Sequence, residues 1–322
     1  MIYKIKPAHR KVIIVTGCAT GLGLELAHEL YEKAQYHVVI TARQHSISEL
    51  KAIFNETDRF IIRSLDVTND DNIYQLVNEI ALLWGRVDCI INNAAICFRG
   101  VIEHMDADSE LLQLKTNYLG PMSLTRAVLP IMREQGGGQI INISSVSGMM
   151  AMPTMASYSA SKHALEGATE ALWYEARPFG INVSLIELGF LNSDSFKRVL
   201  LSKKADISSR LNGPHSEYYR SMTPFIERLM KLTWAKPKYI ANRIVNLLER
   251  KNPPLRVALT ADVFIFSLMK RILPSQLFHS ILFWLLPDSL KWGHREKQRF
   301  NKRVPVEASA RRTHRIDRAT GN

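Results

Sequence analysis

A glycine-rich segment between a strand and a helix constrains the fold more than any other feature of this chain. Residues 11–15 (KVIIV) are mostly β-branched, which predicts a strand buried on both faces. Residues 16–23 (TGCATGLG) follow directly and lead into an apolar-periodic helix. Gly17 permits a tight turn, Gly21 lets the backbone approach a phosphate, and Gly23 allows the helix to pack closely. Because a helix N-terminus attracts anions, this context predicts a turn that binds a pyrophosphate.

Strand-like and helix-like segments alternate over roughly the first 260 residues. This alternation predicts an α/β fold: a Rossmann-like, doubly wound parallel sheet of about seven strands with helices on both faces. Ligands of such sheets bind beyond the carboxyl ends of the strands, where the candidate residues below fall. Strands are predicted at 11–15, 37–42, 60–65, 88–91, 139–143, 181–186 and 256–259, and helices at 70–83, at about 109–133 and around residue 158 to about 177.

The end of the second predicted strand bears on cofactor choice. In dinucleotide folds an acid here binds the ribose 2′-hydroxyl, whereas an arginine accommodates a 2′-phosphate. Ala42 occupies the acid's place and Arg43 follows it. This pattern favours NADP and leaves NAD possible; the alternative is that Arg43 is only an exposed loop residue.

Tyr158 and Lys162 lie four residues apart, a spacing that places both on one face of a helix. A nearby ammonium favours the phenolate, so Tyr158 is a candidate general acid/base with a lowered pKa. The hydroxyl of Ser145 could hold a substrate oxygen against that phenol. By itself the Y-x-x-x-K spacing also arises by chance, with a packed tyrosine and a solvated lysine.

Several motifs in order resemble the short-chain dehydrogenase/reductase family over about residues 10–260. They are TGCATGLG, the DVT that carries Asp66, the NNAA that carries Asn92, Asn117 in a long helix, and Ser145 thirteen residues before Tyr158. The sequences of the segments TGCATGLG and YSASKHALEG are most similar to those of the steroid and retinol dehydrogenase branch.

The resemblance implies a catalytic set of four residues. Tyr158 would be the general acid/base, and Ser145 would orient the substrate oxygen. Lys162 would bind the nicotinamide ribose and depress the pKa of Tyr158, and Asn117 would hold a water in a proton relay. The alternative for Asn117 is a buried polar residue without a catalytic role.

The resemblance also implies a set of cofactor contacts. Asp66 would touch the adenine and Asn92 would border the cofactor. Alternatively, Asp66 is only a cap, and Asn92 and Asn93 brace the sheet. The full predicted cofactor set is Gly17, Thr20, Gly21, Leu22, Gly23, Arg43, Asp66, Asn92, Lys162 and Gly189.

Two positions depart from the family pattern. Ala95 replaces the glycine of N-N-A-G, which adds only a methyl group. Leu188 replaces the proline of the usual P-G before Gly189, in the loop that the family places near the nicotinamide carboxamide.

Apolar residues cluster where a substrate would lie. Methionine suits an adaptable apolar wall, and four methionines precede Tyr158, although they could equally fill the core. We therefore expect a hydrophobic ketone or alcohol, such as a steroid, a retinoid or a lipid-like molecule. The methionines are Met149, Met150, Met152 and Met155, and the expected lid carries Phe190, Leu191, Phe196, Val199, Leu200 and Leu201.

The C-terminal part differs from the rest in composition. We expect a catalytic domain over residues 1–260, an apolar helical extension over 261–290 and a basic tail over 291–322, where ten Lys/Arg face three Asp/Glu. The extension could cover the substrate cleft or contact a membrane peripherally, with the tail drawn to anionic lipid. A solvated, disordered tail is the alternative. A basic tail could also contact nucleic acid, but no aromatic platform accompanies it, so no nucleic-acid partner is expected.

The remaining sequence features argue against some classes of protein and site without identifying a function. Three scattered cysteines argue against a disulfide framework, and the histidines show no metal-site spacing. The N-terminal residues lack the pattern of a secretory signal, and no apolar run is long enough to span a bilayer, so we expect a cytoplasmic protein. A homo-oligomer is expected from the family resemblance alone.

Together these patterns predict an NADP-dependent oxidoreductase that transfers a hydride between nicotinamide and a hydrophobic ketone or secondary alcohol. Two alternatives remain: a non-catalytic nucleotide-binding scaffold or sensor, and an isomerase or dehydratase on the same fold.

Overall fold

The computed structural model describes residues 10–193, 199–211 and 215–293. Its nine strands are β1 (Lys11–Val15), β2 (Tyr36–Ala42), β3 (Phe60–Ser64), β4 (Cys89–Asn92), β5 (Phe98–Arg99), β6 (Gly138–Ile143), β7 (Ile181–Glu187), β8 (Leu200–Leu201) and β9 (Arg256–Ala258). Seven of them form one parallel sheet in the order β3-β2-β1-β4-β6-β7-β9. The predicted doubly wound parallel sheet is confirmed, and its order reverses between β1 and β4.

Helices lie between the strands and beyond the last one. They are α1 (Gly21–Tyr31), α2 (Ile47–Ile53), α3 (Asp70–Trp84), α4 (Ala107–Leu114), α5 (Gly120–Glu134), α6 (Ala156–Ala176), α7 (Lys203–Arg210), α8 (Ser216–Leu232), α9 (Pro237–Val245), α10 (Ala261–Ile272) and α11 (Ser275–Leu285). The single helix predicted over 109–133 is instead divided by one π-helical turn, Lys115–Leu119, between α4 and α5. Such turns occur often at functional sites, and this one contains Asn117.

Alternate residues of β1 point into two separate hydrophobic clusters. Ile13 and Val15 pack with apolar residues of α1, α2 and α9. Val12 and Ile14 pack with apolar residues of α3, α5 and α6. Because successive side chains of a strand face opposite sides, one β-branched run serves both helical layers. Burial of each such side chain contributes about 1.5–3 kcal/mol, so the sheet and its two layers hold one another in register.

A smaller structure beside the main sheet was not predicted. Phe98 and Arg99 of β5 pair in parallel with Leu200 and Leu201 of β8. Helices α7 and α8 follow β8, where the sequence indicated only a lid segment. A pairing of two-residue strands about a hundred residues apart leaves no periodic signal, which explains the omission.

The C-terminal extension consists of α10 and α11, joined at Leu273 and Pro274. Proline ends α10 because its ring disfavours helical backbone in the preceding residue. Within the described residues, no helix is both long and apolar enough to cross a membrane.

Candidate active site

A cavity of about 870 Å³ lies at the carboxyl ends of the central strands. Most of its lining comes from the turns after β1, β2, β3, β4, β6 and β7 and from α4, α6 and α8. The structure brings most of the predicted site residues to this one cavity. Those that line it are Gly17, Thr20, Gly21, Leu22, Gly23, Arg43, Asp66, Ser145, Tyr158, Lys162 and Gly189.

The glycine turn has the geometry of a phosphate cradle. Gly17 and Gly21 have φ angles of 72° and 58°, in the left-handed region that side chains disfavour. A Cβ at Gly23 would lie 2.1 Å from the carbonyl oxygen of Gly17, so α1 can approach the turn only with glycine there. The residues present therefore fit a dinucleotide, whose pyrophosphate the first N–H groups of α1 would hold.

Arg43 and Asp66 lie along the same side of the cavity. Arg43 is exposed and lines the cavity directly after β2, where a 2′-phosphate would be accommodated. Asp66 also lines it, but one carboxylate oxygen accepts hydrogen bonds from the backbone N–H (2.9 Å) and hydroxyl (2.7 Å) of Thr68. Asp66 thus stabilises its own turn by a local cap-like interaction with Thr68. Its contact with adenine stays a prediction.

Two predicted residues lie outside the cavity lining. Asn92 is 3% exposed and donates a 2.7 Å hydrogen bond to the side chain of Asn142, across the β4–β6 pair. The alternative interpretation, a residue that braces the sheet, describes Asn92 better than cofactor contact does. Its neighbour Asn93 lines the cavity and donates to the carbonyl oxygens of Thr16 and Gly17.

Asn117 is likewise buried, at 1% exposure. Its side chain bonds the backbone N–H and C=O of Ile96 (both 2.9 Å) and the hydroxyl of Ser161 (3.0 Å). These bonds hold the cavity-lining segment after β4 against α6. Its role in a water relay remains a prediction.

Tyr158, Ser145 and Lys162 meet at the floor of the cavity. Helix α6 places the Lys162 ammonium 5.9 Å from the centroid of the Tyr158 ring. The ammonium donates a 2.8 Å hydrogen bond to the carbonyl oxygen of Ile143, the last residue of β6. The Ser145 hydroxyl, two residues further on, accepts a hydrogen bond from the backbone N–H of Ser147. A phenol, a hydroxyl and an ammonium therefore line the same part of the cavity.

The electrostatics of this trio differ from the sequence-based expectation. Burial raises the pKa of Tyr158 above its usual value, and hydrogen bonding to Ser145 only partly opposes this. The expected lowering of the Tyr158 pKa is therefore not found in this structure, because burial is the largest influence on that pKa and raises it. Burial also lowers the pKa of Lys162 to about 8, opposed by the charge of Glu166. A neutral Tyr158 is suited to donating a proton to a developing alkoxide.

A partly buried ionic cluster around Glu166 was missed by the sequence analysis. The carboxylate of Glu166, one helical turn after Lys162, accepts hydrogen bonds from the Ser144 hydroxyl (2.7 Å) and from Arg256 of β9 (2.8 Å). Arg256 also contacts Glu187 at the end of β7 and Glu170 on α6. The cluster joins α6 to the ends of β6, β7 and β9. The one sequence signal for this cluster was Glu166, a charged residue on the buried face of the helix.

The charges within this cluster depend on one another. Burial disfavours the charged guanidinium of Arg256, yet its hydrogen bonds with Glu166 and Glu170 raise the pKa of Arg256 above its usual value. Burial and the neighbouring charge of Glu166 raise the pKa of Glu187.

Many residues of the cavity lining are apolar, as expected for a hydrophobic ligand. The four methionines divide: Met152 and Met155 line the cavity, whereas Met150 is buried and packs with Met149 in a core cluster. Of the expected lid, Phe190, Leu191, Val199 and Leu200 line the cavity, Leu201 does not, and Phe196 lies outside the described residues.

Helix α8 supplies wall residues that the sequence analysis did not name. Ile226 and Met230 line the cavity, and Met222 packs with them one turn earlier. Their i, i+4, i+8 spacing is the signal that could have identified this face.

A buried arginine supports the segment before Tyr158. Arg99 is 2% exposed and donates to the hydroxyls of Thr154 (3.0 Å) and Thr223 (3.2 Å). Thr154 has a φ of 67°, which is strained for a β-branched residue. The buried guanidinium helps to hold this strained turn beside Met155, at the start of α6.

The three cysteines are all free thiols. Cys18 and Cys89 are buried, as expected for small apolar residues, whereas Cys97 is partly exposed and lines the cavity. Burial raises the pKa of Cys97 to about 12, so it stays a neutral thiol near neutral pH.

A doubly wound sheet with a glycine turn at its switch point and this trio beside it defines a class: nicotinamide-dependent oxidoreductases. The chain belongs to the short chain dehydrogenase family, whose pattern matches residues 11–203. The family resemblance and the oxidoreductase class expected from the sequence are thereby confirmed.

Individual relatives agree with this assignment. A 3-ketodihydrosphingosine reductase of Bacteroides thetaiotaomicron is 33% identical over 276 residues, covering 84% of this chain and 96% of that protein. Human retinol dehydrogenase 8 is 32% identical over 253 residues, covering 76% of this chain and 80% of that protein. A short-chain dehydrogenase from Streptomyces avermitilis has a crystal structure with a TM-score of 0.68 and 30% identity, covering 85% of this chain and 96% of that one.

Proposed function

We propose that this protein is an NADP(H)-dependent oxidoreductase that interconverts a hydrophobic ketone and the corresponding secondary alcohol. The single observation that carries the proposal is the convergence of Tyr158, Ser145 and Lys162 on a cavity with many apolar lining residues. Relatives named retinol dehydrogenase 8 and 3-ketodihydrosphingosine reductase support a reaction that interconverts an alcohol and a carbonyl compound.

The proposed chemistry divides between a cofactor and the chain. A bound nicotinamide supplies the hydride to the carbonyl carbon, or accepts it in the reverse direction. The Ser145 hydroxyl orients the substrate oxygen toward Tyr158. Tyr158 donates its proton to that oxygen as the alkoxide develops, and recovers it in the oxidative direction. The Lys162 ammonium stabilises the tyrosinate that remains.

Cofactor choice follows from Arg43 and the residues around it. Its guanidinium is exposed to the cavity, and the preceding Ala42 offers no carboxylate to repel a 2′-phosphate. Both features support NADP(H) over NAD(H). The turn at Gly17 and the first turn of α1 would hold the pyrophosphate.

The decisive experiment compares wild type with Tyr158→Phe on a panel of hydrophobic ketones and alcohols, followed by nicotinamide absorbance with both cofactors. We expect turnover to fall by about 10³-fold or more in the variant while NADPH affinity stays within about threefold. Full activity of Tyr158→Phe would exclude this residue as the acid/base. Cofactor binding without turnover of any substrate by wild type would favour the scaffold alternative. Product formation without a change in absorbance would favour an isomerase or dehydratase.

We also propose that the protein forms a homo-oligomer through α4, α5 and α6. Large apolar side chains on α4 and α6 are exposed, with Leu111 at 48% and Tyr174 at 70%. Light scattering during gel filtration tests this, and a monomer at micromolar concentration would contradict it.

A further inference from the structure

The helical hairpin formed by α10 and α11 is apolar on two sides. Its inner side packs on the body: Val263 is fully buried and Phe278 is 1% exposed, in one cluster with Val146 and Met150. A surface helix ordinarily places polar residues opposite its buried stripe. On α10 the positions opposite Val263 are apolar too, and several exposed positions of α11 are apolar, so packing onto the body leaves further apolar surface uncovered.

On α10 the outer stripe consists of Phe264, Leu268 and Ile272, which recur every four residues and are 63%, 47% and 68% exposed. On α11 it consists of Leu277, Trp284 and Leu285, which are 48%, 68% and 61% exposed. We refer to these six residues as the outer face. Exposed apolar surface on this scale generally marks a contact site.

We propose that this outer face docks on the surface of an anionic lipid bilayer. Helices of 12 and 11 residues are roughly 18 and 17 Å long, well short of the ~30 Å hydrocarbon core, so they would lie in the interface and not cross it. A tryptophan and a phenylalanine beside basic residues are typical of interfacial helices.

Charge favours a bilayer over a second copy of this chain. Lys270 and Arg271 lie in the last turn of α10 and are both exposed. Residues 291–322 carry ten Lys/Arg against three Asp/Glu in the sequence. A symmetric dimer through the outer face would bring two such basic regions together. An anionic bilayer attracts them instead, because its surface potential is negative.

Docking here would place the proposed substrate cavity beside the lipid. Met152 both lines the cavity and packs against the inner side of the hairpin. Ile226 and Met230 line the cavity and pack with Leu286 and Trp292, just after α11. A hydrophobic substrate dissolved in the bilayer would then pass along apolar residues to reach the cavity. This consequence rests on the proposed function, whereas the docking itself does not.

The test is sedimentation of the full chain with phosphatidylcholine vesicles, with and without phosphatidylserine. The variant Ile272→Ser/Trp284→Ser removes one isoleucine and one tryptophan of the outer face. Its matched control, Ile102→Ser/Trp234→Ser, removes the same two residue types from other exposed positions, at 77% and 95% exposure. We expect binding of the wild type to phosphatidylserine vesicles, a loss of tenfold or more in the outer-face variant, and a change below threefold in the control.

Two further measurements complete the test. Arg271→Gln should weaken binding to phosphatidylserine vesicles and reduce its salt dependence, with little effect on neutral vesicles. Equal vesicle binding by the outer-face variant and the control would overturn the proposal. So would a change of oligomeric state caused by the outer-face variant without lipid, since it would identify a second copy as the occupant. Because no substrate or cofactor is needed, these outcomes are independent of catalysis, and circular dichroism checks that each variant is folded.

Discussion

The carboxylate of Glu166 accepts a 2.7 Å hydrogen bond from the hydroxyl of Ser144, the residue directly before Ser145. Glu166 is 5% exposed and lies one helical turn after Lys162. One buried carboxylate therefore bonds the residue next to Ser145 and also raises the pKa of the nearby Lys162.

Glu166→Gln should shift the alkaline limb of the pH–rate profile to lower pH. The charge of Glu166 raises the pKa of Lys162 against the larger effect of burial, which brings it to about 8. In wild type the Lys162 ammonium is therefore lost as the pH rises through about 8. Without the carboxylate charge, it is lost at lower pH.

The measurement for Glu166→Gln is kcat against pH, together with the pH dependence of acylation of Lys162 followed by mass spectrometry. The second readout needs no substrate. Glu170→Gln is the matched control, since Glu170 binds Arg256 but not Ser144. A uniform fall in kcat without a shift of the limb would mean that Glu166 has only a structural role.

Arg43→Ser should weaken NADPH binding by roughly 10- to 100-fold, because hydrogen bonds to a charged group contribute about 1.5–3 kcal/mol. NADH lacks the 2′-phosphate, so its affinity should change by less than about threefold. Titration of nicotinamide fluorescence measures both dissociation constants. Arg250→Ser, at an exposed site outside the cavity, is the control. Equal weakening of both cofactors would contradict a contact between Arg43 and the 2′-phosphate.

Asn92→Ala should mainly lower stability, whereas Asn93→Ala should mainly weaken cofactor binding. Asn92 bonds Asn142 inside the sheet, so its loss leaves a buried oxygen unpaired and should lower the free energy of unfolding by about 1–3 kcal/mol. Asn93 braces the glycine turn and lines the cavity, so its loss should mainly weaken cofactor binding. Urea unfolding and cofactor titration of both variants measure the two effects. Strong loss of cofactor affinity in a stable Asn92→Ala protein would restore the original cofactor assignment.

Gly189→Ala should destabilise the junction between β7 and the hairpin. A Cβ at Gly189 would lie 1.8 Å from a carboxylate oxygen of Asp262, which accepts a 2.8 Å hydrogen bond from the N–H of Phe190. We expect a loss of about 1–3 kcal/mol in the free energy of unfolding, as overpacking typically costs.

The control for Gly189→Ala is Gly167→Ala on the exposed side of α6. No atom lies within 4 Å of a Cβ added at Gly167. Alanine should therefore stabilise this helix, by about 0.5–1 kcal/mol. A neutral Gly189→Ala would mean that Asp262 can move away without loss.

Local sequence patterns determined the sheet, the glycine turn and the spacing of Tyr158 and Lys162. A β-branched run, a glycine after a strand and a four-residue helical repeat each act through near neighbours in the chain, so they can be read without a structure. The same patterns also carried the family resemblance over most of the chain.

Only the tertiary structure decided which polar residues face the cavity and which are buried behind it. Asn92 and Asn93 are adjacent, yet one bonds across the sheet and the other lines the cavity. The tertiary structure likewise joined Glu166 to Arg256, ninety residues later, and raised the pKa of Tyr158 through burial. Desolvation and contacts between distant residues depend on which surfaces meet when the chain packs, and no local spacing encodes that.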